Sequence, residues 1–271
     1  MVTVLRPLST SELLDRTFHL YRNHFILFVG ITAIPQLVIL LLHLLGAAVA
    51  VSGRITGVLV TALITALANL VALEVSHAAT VMAVSDLHLD RPATIGSSYG
   101  GAKRSMPRVI WISILVGIAI GIASLFFVIP GIYLALAWSL AIPVTVLEGG
   151  GLNASTTRSK ELTKGTRWRI FVIYLLLVVL TLVVSFIIAL PFEMLARFLG
   201  RSSPLTALAM RQLWQGVGNF LSTSLVGPLV TIALTLVYYD QRVRREGFDL
   251  QLMMAALQPG SKAQAATGAT N

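Results

Sequence analysis

The sequence predicts an all-α, polytopic membrane protein: a six-transmembrane-helix bundle with short amphipathic helices along its inner face. Three observations predict it. The chain is 56% hydrophobic and only 11% charged, against roughly 45–50% and about 25% in soluble domains, so a water-soluble core would lack the polar residues to cover it. Six apolar runs of near-spanning length are separated by charged or Pro/Gly-rich breaks. The basic residues crowd into alternate breaks.

A spanning helix needs about twenty mostly apolar residues. The runs are Phe25–Leu45, Thr56–Ala83, Ile110–Val128, Ile132–Leu147, Ile170–Leu190 and Leu221–Tyr239. The second is longer than a bilayer requires and must tilt or protrude. The fourth is short and interrupted by Pro143, which removes a backbone donor and calls for neighbouring groups to satisfy the freed carbonyl. Pro130-Gly131 is expected to form the turn between the third and fourth spans. These runs divide the chain into an N-terminal amphipathic interfacial segment (1–24), a six-helix transmembrane domain (25–239), a cytoplasmic amphipathic C-terminal segment (240–258) and a disordered tail (259–271).

Orientation follows from Lys and Arg. With a cytoplasmic N-terminus, sixteen of the 20 basic residues fall on inner segments and four, Arg54, Arg197, Arg201 and Arg211, on outer ones. This is a positive-inside distribution. It places both termini in the cytoplasm, with Tyr238 and Tyr239 as interfacial anchors. The net charge of +9 therefore reads as topology; nucleic-acid binding would need those charges gathered on a soluble face. With no cysteine, disulfides, thiolate metal sites and thiol nucleophiles are excluded. No uninterrupted apolar stretch marks the first twenty residues as a cleaved signal.

Each odd-numbered span follows a basic segment able to form a short interfacial helix, which suggests a threefold pseudo-repeat. The first has a capping box at Ser9 and Glu12 and a stripe of Leu14, Phe18, Tyr21 and Phe25. The second, RPATIGSSYGGAKRSMPR, is weakened by three glycines. In the third, NASTTRSKELTKG, Asn153 is the expected N-cap and Gly165 the residue past the end. A further helix is expected from Asp249, with Leu250, Met253, Met254 and Leu257 on one face.

Four stretches, RPLSTSELLDRTFHLYRNHF, LDRPATI, VLEGGGLNASTTRSKELTKGTRW and YYDQRVRREGFDL, resemble a bacterial membrane family known from the glycerophosphoryl diester phosphodiesterase membrane domain. Glu148, Gly149, Arg158, Ser159, Leu162, Thr163, Gly165 and Trp168 fit its recurring pattern, whereas Asp90 stands where the family tends to have glycine. In members that hydrolyse glycerophosphodiesters the chemistry resembles that of a separate soluble barrel, which holds a divalent cation with His, Glu and Asp. The five histidines here form no such arrangement, and no barrel is expected after the last helix. The resemblance implies the membrane module alone, whose role is not established as a family property.

Candidate sites are few. Glu74 and His77, three apart on one helix face, form an intramembrane polar pair, a functional hypothesis by default: a proton relay or headgroup contact, or simply residues near the inner interface. Asn69 lies close in sequence. Arg158, Lys160, Lys164, Arg167, Trp168 and Arg169 form a basic, aromatic segment suited to anionic lipid headgroups, or else only to topology. Asp240, at the cytoplasmic end of the sixth span, needs a compensating cation, with Arg158 or Arg22 expected; Glu148 is expected to pair with Arg158 or Arg242. Gly117-x-x-x-Gly121 permits close packing, expected within the bundle. No P-loop, HExxH or GxSxG occurs, and no cofactor or metal is implied. The expected role is a non-enzymatic membrane module that organises or assists partner proteins or lipids at the inner leaflet. A small transporter or permease subunit is the alternative, disfavoured because the spans read as nearly bare of charge.

Overall fold

The computed structural model describes residues 8–247. The expected C-terminal helix, the tail and residues 1–7 lie outside them. Among the described residues ten α-helices follow in order: α1 (Thr10–Asn23), α2 (Phe25–Val51), α3 (Ile55–His88), α4 (Ile95–Ala102), α5 (Met106–Phe126), α6 (Val128–Ala137), α7 (Ala141–Glu148), α8 (Leu152–Thr163), α9 (Arg167–Leu199) and α10 (Pro204–Glu246). Six segments are long and apolar enough to cross a membrane: α2, α3, α5, α6 with α7, α9 and α10. Their outer faces carry exposed Leu, Ile and Phe, such as Leu63 at 61% and Phe186 at 67%. That is the reverse of a soluble protein and the pattern of a lipid-facing one.

The order short helix, long helix, return helix occurs three times: α1–α3, α4–α7 and α8–α10. The short helices all lie at one end, called basal here, where α2, α5 and α9 begin and α3 and α10 finish. Their caps follow local chemistry. Ser9 and Glu12 form the capping box of α1, and Thr94 with Ser97 forms one for α4, so α4 folds despite its glycines. At α8 the N-cap is Gly151, and Asn153 lies inside the first turn. Gly165, with φ +79, follows the Lys164 C-cap. In α1 the buried face is Leu13 and Thr17; of the expected stripe Leu14 and Tyr21 pack against the core, while Phe18 and, at the start of α2, Phe25 are about two-fifths exposed, at 41% and 42%.

Two turns differ from expectation. The α5–α6 turn is at Phe127, in extended conformation (φ −154, ψ 136). Pro130 sits in the first turn of α6, where no helical donor is needed. Gly131 lets α6 return against α5, since a Cβ there would lie 1.9 Å from Ser124 Oγ. The fourth span breaks at Trp138–Leu140, upstream of Pro143, which again occupies a first turn. Gly117 and Gly121 meet no neighbour within 4 Å, so their motif makes no close packing within the chain.

The sixth span is far longer than its apolar core. Its 43 residues extend about 65 Å at 1.5 Å per residue, and α10 runs through the middle of the molecule against α2, α9, α3 and α1. Gly216 lies against His43, and Gly46 against Gln212, at the close α2–α10 crossing. The main core occupies the basal half, with Phe28, Ile31, Leu140, Ile173, Ile232 and Tyr238 among its buried members. The far, distal end has only a small cluster of Ala50, Val58 and Ala209.

Prolines explain what the short helices do. Pro35 deprives the Ile31 carbonyl of its helical donor, and the Tyr99 hydroxyl of α4 donates to it at 2.5 Å. Pro228 does the same to the Ser224 carbonyl; Thr32 Oγ1 donates there at 2.9 Å, and Tyr21 of α1 donates to the adjacent Leu225 carbonyl. At the α6–α7 break, Ser159 of α8 donates to the Ala137 carbonyl at 2.9 Å and accepts from Leu140 N at 3.1 Å. Each short helix thus supplies a hydroxyl to a span: α4 to the carbonyl freed by Pro35, α1 to the carbonyl next to the one freed by Pro228, and α8 to the break in the fourth span, as a membrane interior demands.

Candidate functional site

The basal end is closed by two charge networks. Asp240, its side chain 0% exposed, accepts from Arg169 Nη1 at 2.6 Å, Arg244 Nε at 2.9 Å and the Leu8 backbone N–H at 2.7 Å. Arg169 also donates to the Leu8 carbonyl at 2.7 Å. The cation expected for a carboxylate near a helix C-terminus is therefore Arg169, not Arg158 or Arg22. The physical reason is position: Arg169 in the first turn of α9 packs beside α10, whereas Arg158 projects from α8 toward other carboxylates. Arg158 Nε pairs with Glu148 at 3.1 Å, and its Nη2 with Glu246. Burial would lower the Arg158 pKa, but Glu148 and Glu246 outweigh it and the net shift is upward. Tyr238 donates to Glu148 at 2.8 Å, and Arg242 pairs with Glu246 at 3.1 Å.

The basic segment therefore divides. Arg158 and Arg169 turn inward to carboxylates. Arg167 lies 4.5 Å over the Tyr133 ring. Lys160, Lys164 and Trp168 face outward, Trp168 at 76% exposure. The pattern residues around them are structural: Ser159 and Thr163 satisfy the broken fourth span, and Leu162 is buried.

Glu74 and His77 come together with Ser113 of α5, whose hydroxyl donates to Glu74 Oε2 at 2.7 Å. His77 Nδ1 stands 3.6 Å from the same oxygen, beyond a hydrogen bond. They line a cavity of about 290 Å³ with Ser139, Tyr174 and Thr231. Asn69 does not join them; it accepts a long hydrogen bond, 3.5 Å, from Gln36 Nε2 and faces a second cavity.

That second cavity, of about 1190 Å³ in the distal half, escaped the sequence reading. It is the gap between α3, which packs on α2 and α10, and α9, which packs on α10; the two barely touch each other. Its lining includes Glu193, Arg197, Arg211, Gln212, Gln215 and Asn219. Hydropathy ends the fifth span at Leu190 and begins the sixth at Leu221, which puts these residues in an outer loop, whereas α9 continues to Leu199 and α10 begins at Pro204. Their spacing was the available signal: 211, 215 and 219 repeat at i, i+4 and mark one face of a helix. Ser203 caps that helix by accepting from Thr206 N at 3.1 Å. Among the described residues no group of three or more His, Asp or Glu is arranged to hold a metal ion.

Residues 105–262 match the family model described as the membrane domain of glycerophosphoryl diester phosphodiesterase. No curated protein and no solved structure matches the chain.

Proposed function

The chain belongs to this family of membrane domains, and from that premise we propose that it is a non-enzymatic module that organises lipids or partner proteins at the inner leaflet of a bacterial cell membrane. The observation that carries this reading is the division of the 158–169 segment: two arginines are consumed by internal carboxylates, while Lys160, Lys164 and Trp168 stay outward beside a basal surface of short helices. Two ammonium groups next to an interfacial indole suit anionic headgroups, at about 1 kcal/mol per basic residue near the surface. The basal end is cytoplasmic in this reading, with both termini there.

Lys160→Gln with Lys164→Gln should reduce enrichment of anionic lipid around the protein in mixed-lipid nanodiscs, measured by native mass spectrometry. Unchanged enrichment defeats the proposal. Orientation is tested separately. Because the chain lacks cysteine, a single cysteine at Ser52 should label from outside intact cells and one at Asn153 should not; the opposite result reverses the topology.

The transporter or permease reading is favoured by one feature, the polar lining of the distal cavity. It requires a path onward to the basal end. Labelling of a cysteine at Asn219 by a water-soluble reagent from the basal side would support it over the module.

A further inference from the structure

We propose that the distal cavity is a binding site for an anionic phospholipid, its headgroup held by Arg211 and its chain lying in the gap between α3 and α9. The site stands apart from the basal lysines and does not depend on them. At its distal rim the charges are unequal. Arg197 Nε pairs with Glu193 at 3.3 Å, and Gln215 Nε2 donates to the other Glu193 oxygen at 3.4 Å. Glu193 is thereby engaged. Arg211 has no hydrogen-bond or ion-pair partner among the described residues. Trp214, another lining residue, keeps its indole N–H buried without an acceptor. His43 of α2, packed against Gly216 of α10, also has an unpartnered ring nitrogen, Nδ1. An unpaired guanidinium and, three residues on in the same lining, an unsatisfied indole donor call for an acceptor-rich, negatively charged group, and a phosphate supplies both charge and oxygens.

The rest of the cavity selects an amphiphile. Along α3 and α9 its walls include Ala62, Ala66, Leu182 and Phe186, with Asn69 and Ser222 among the polar residues further in, and Leu182 and Phe186 are 63% and 67% exposed toward the bilayer. The volume exceeds the roughly 300–1,000 Å³ typical of small-molecule clefts. An apolar chain can enter sideways from the membrane between α3 and α9 without crossing the rim and lie along Leu182, Phe186, Ala62 and Ala66, while a small soluble anion would leave most of that volume unfilled.

The test uses the full chain with Trp111, Trp138 and Trp168 changed to Phe, leaving Trp214 as the sole indole. In nanodiscs, brominated phosphatidylglycerol should quench Trp214 at roughly tenfold lower mole fraction than brominated phosphatidylcholine, the effect of about one charge-assisted hydrogen bond. Arg211→Gln should erase the preference and Arg211→Lys should retain most of it. Equal quenching by the two lipids, or a preference that survives Arg211→Gln, overturns the proposal. Loss of the preference when inorganic phosphate is added would assign the site to a soluble anion and overturn it too. If the triple variant does not fold, a single cysteine at Ala66 in the otherwise unaltered chain gives the same reading. Phosphatidylglycerol should protect it from a maleimide more than phosphatidylcholine does, and equal protection refutes the site. Lys160→Gln with Lys164→Gln should leave both readouts unchanged, which separates this site from the basal one.

Discussion

The two ends of α10 solve opposite problems with the same residue types. At the basal end Asp240, Glu148 and Glu246 are matched by Arg169, Arg244, Arg158 and Arg242 around a packed core. At the distal end Arg211 stands unmatched over a cavity, and the only buried cluster is small. A buried carboxylate stabilises a fold only if its partners are already in place, and the basal short helices deliver them. The distal half has no such helices, and its polar side chains remain available to something outside the chain. The difference teaches that in this bundle charge marks structure where it is paired and marks a site where it is not.

The comparison is broken most severely at Asp240. Asp240→Ala leaves Arg169 and the Leu8 N–H without their acceptor, and removal of one member of a buried pair costs roughly 3–5 kcal/mol. The thermal midpoint in detergent should fall steeply, with membrane insertion retained. An unchanged midpoint would mean the clasp contributes nothing.

Ser159→Ala comes next. It removes the shorter of two donors to Ala137, leaving Thr163 at 3.4 Å, and the acceptor for Leu140 N at the α6–α7 break, and leaving a buried backbone group unsatisfied costs about 1–3 kcal/mol. Hydrogen exchange should rise at residues 138–141 before it rises elsewhere. Exchange that stays uniform would show that the break needs no cap from α8.

A smaller effect is expected at Tyr99. Burial pushes its phenol up to about 12 from the ordinary 10, so the folded state favours the neutral donor. The stabilisation is complete below pH 10 and is lost as pH rises from about 10 toward 12. Tyr99→Phe should cost roughly 0.5–1.5 kcal/mol at neutral pH and flatten part of the alkaline loss, followed by melting at pH 8 to 12. Equal alkaline slopes in the two proteins would remove Tyr99 from the account.

The smallest effect sharpens the contrast. Arg211→Ala should leave stability within about 0.5 kcal/mol, as for an exposed residue without partners, although it abolishes the headgroup preference proposed above. A loss as large as that at Asp240 would make Arg211 a structural residue like its basal counterparts.

Membrane location, six spans and the short helix before each hairpin are set by the sequence itself, because hydropathy, charge alternation and caps are local properties of consecutive residues. The family resemblance was legible for the same reason. Local reading also shows that Asp240 needs a cation and that the fourth span is interrupted, although the break falls at Trp138–Leu140 and Pro143 itself sits in a first turn. It did not identify Arg169 or Ser159, because those partners come from helices whose placement depends on packing across the chain. It took 204–220 for a loop because Arg211, Gln212 and Gln215 suppress hydropathy; only tertiary structure shows them inside a continuous helix, where α2 and α10 close on each other at Gly46 and Gly216. The cavity is likewise a tertiary property. It exists because α3 packs on α2 and α10, and α9 on α10, and not on each other, and a gap between two helices distant in sequence leaves no trace in either one.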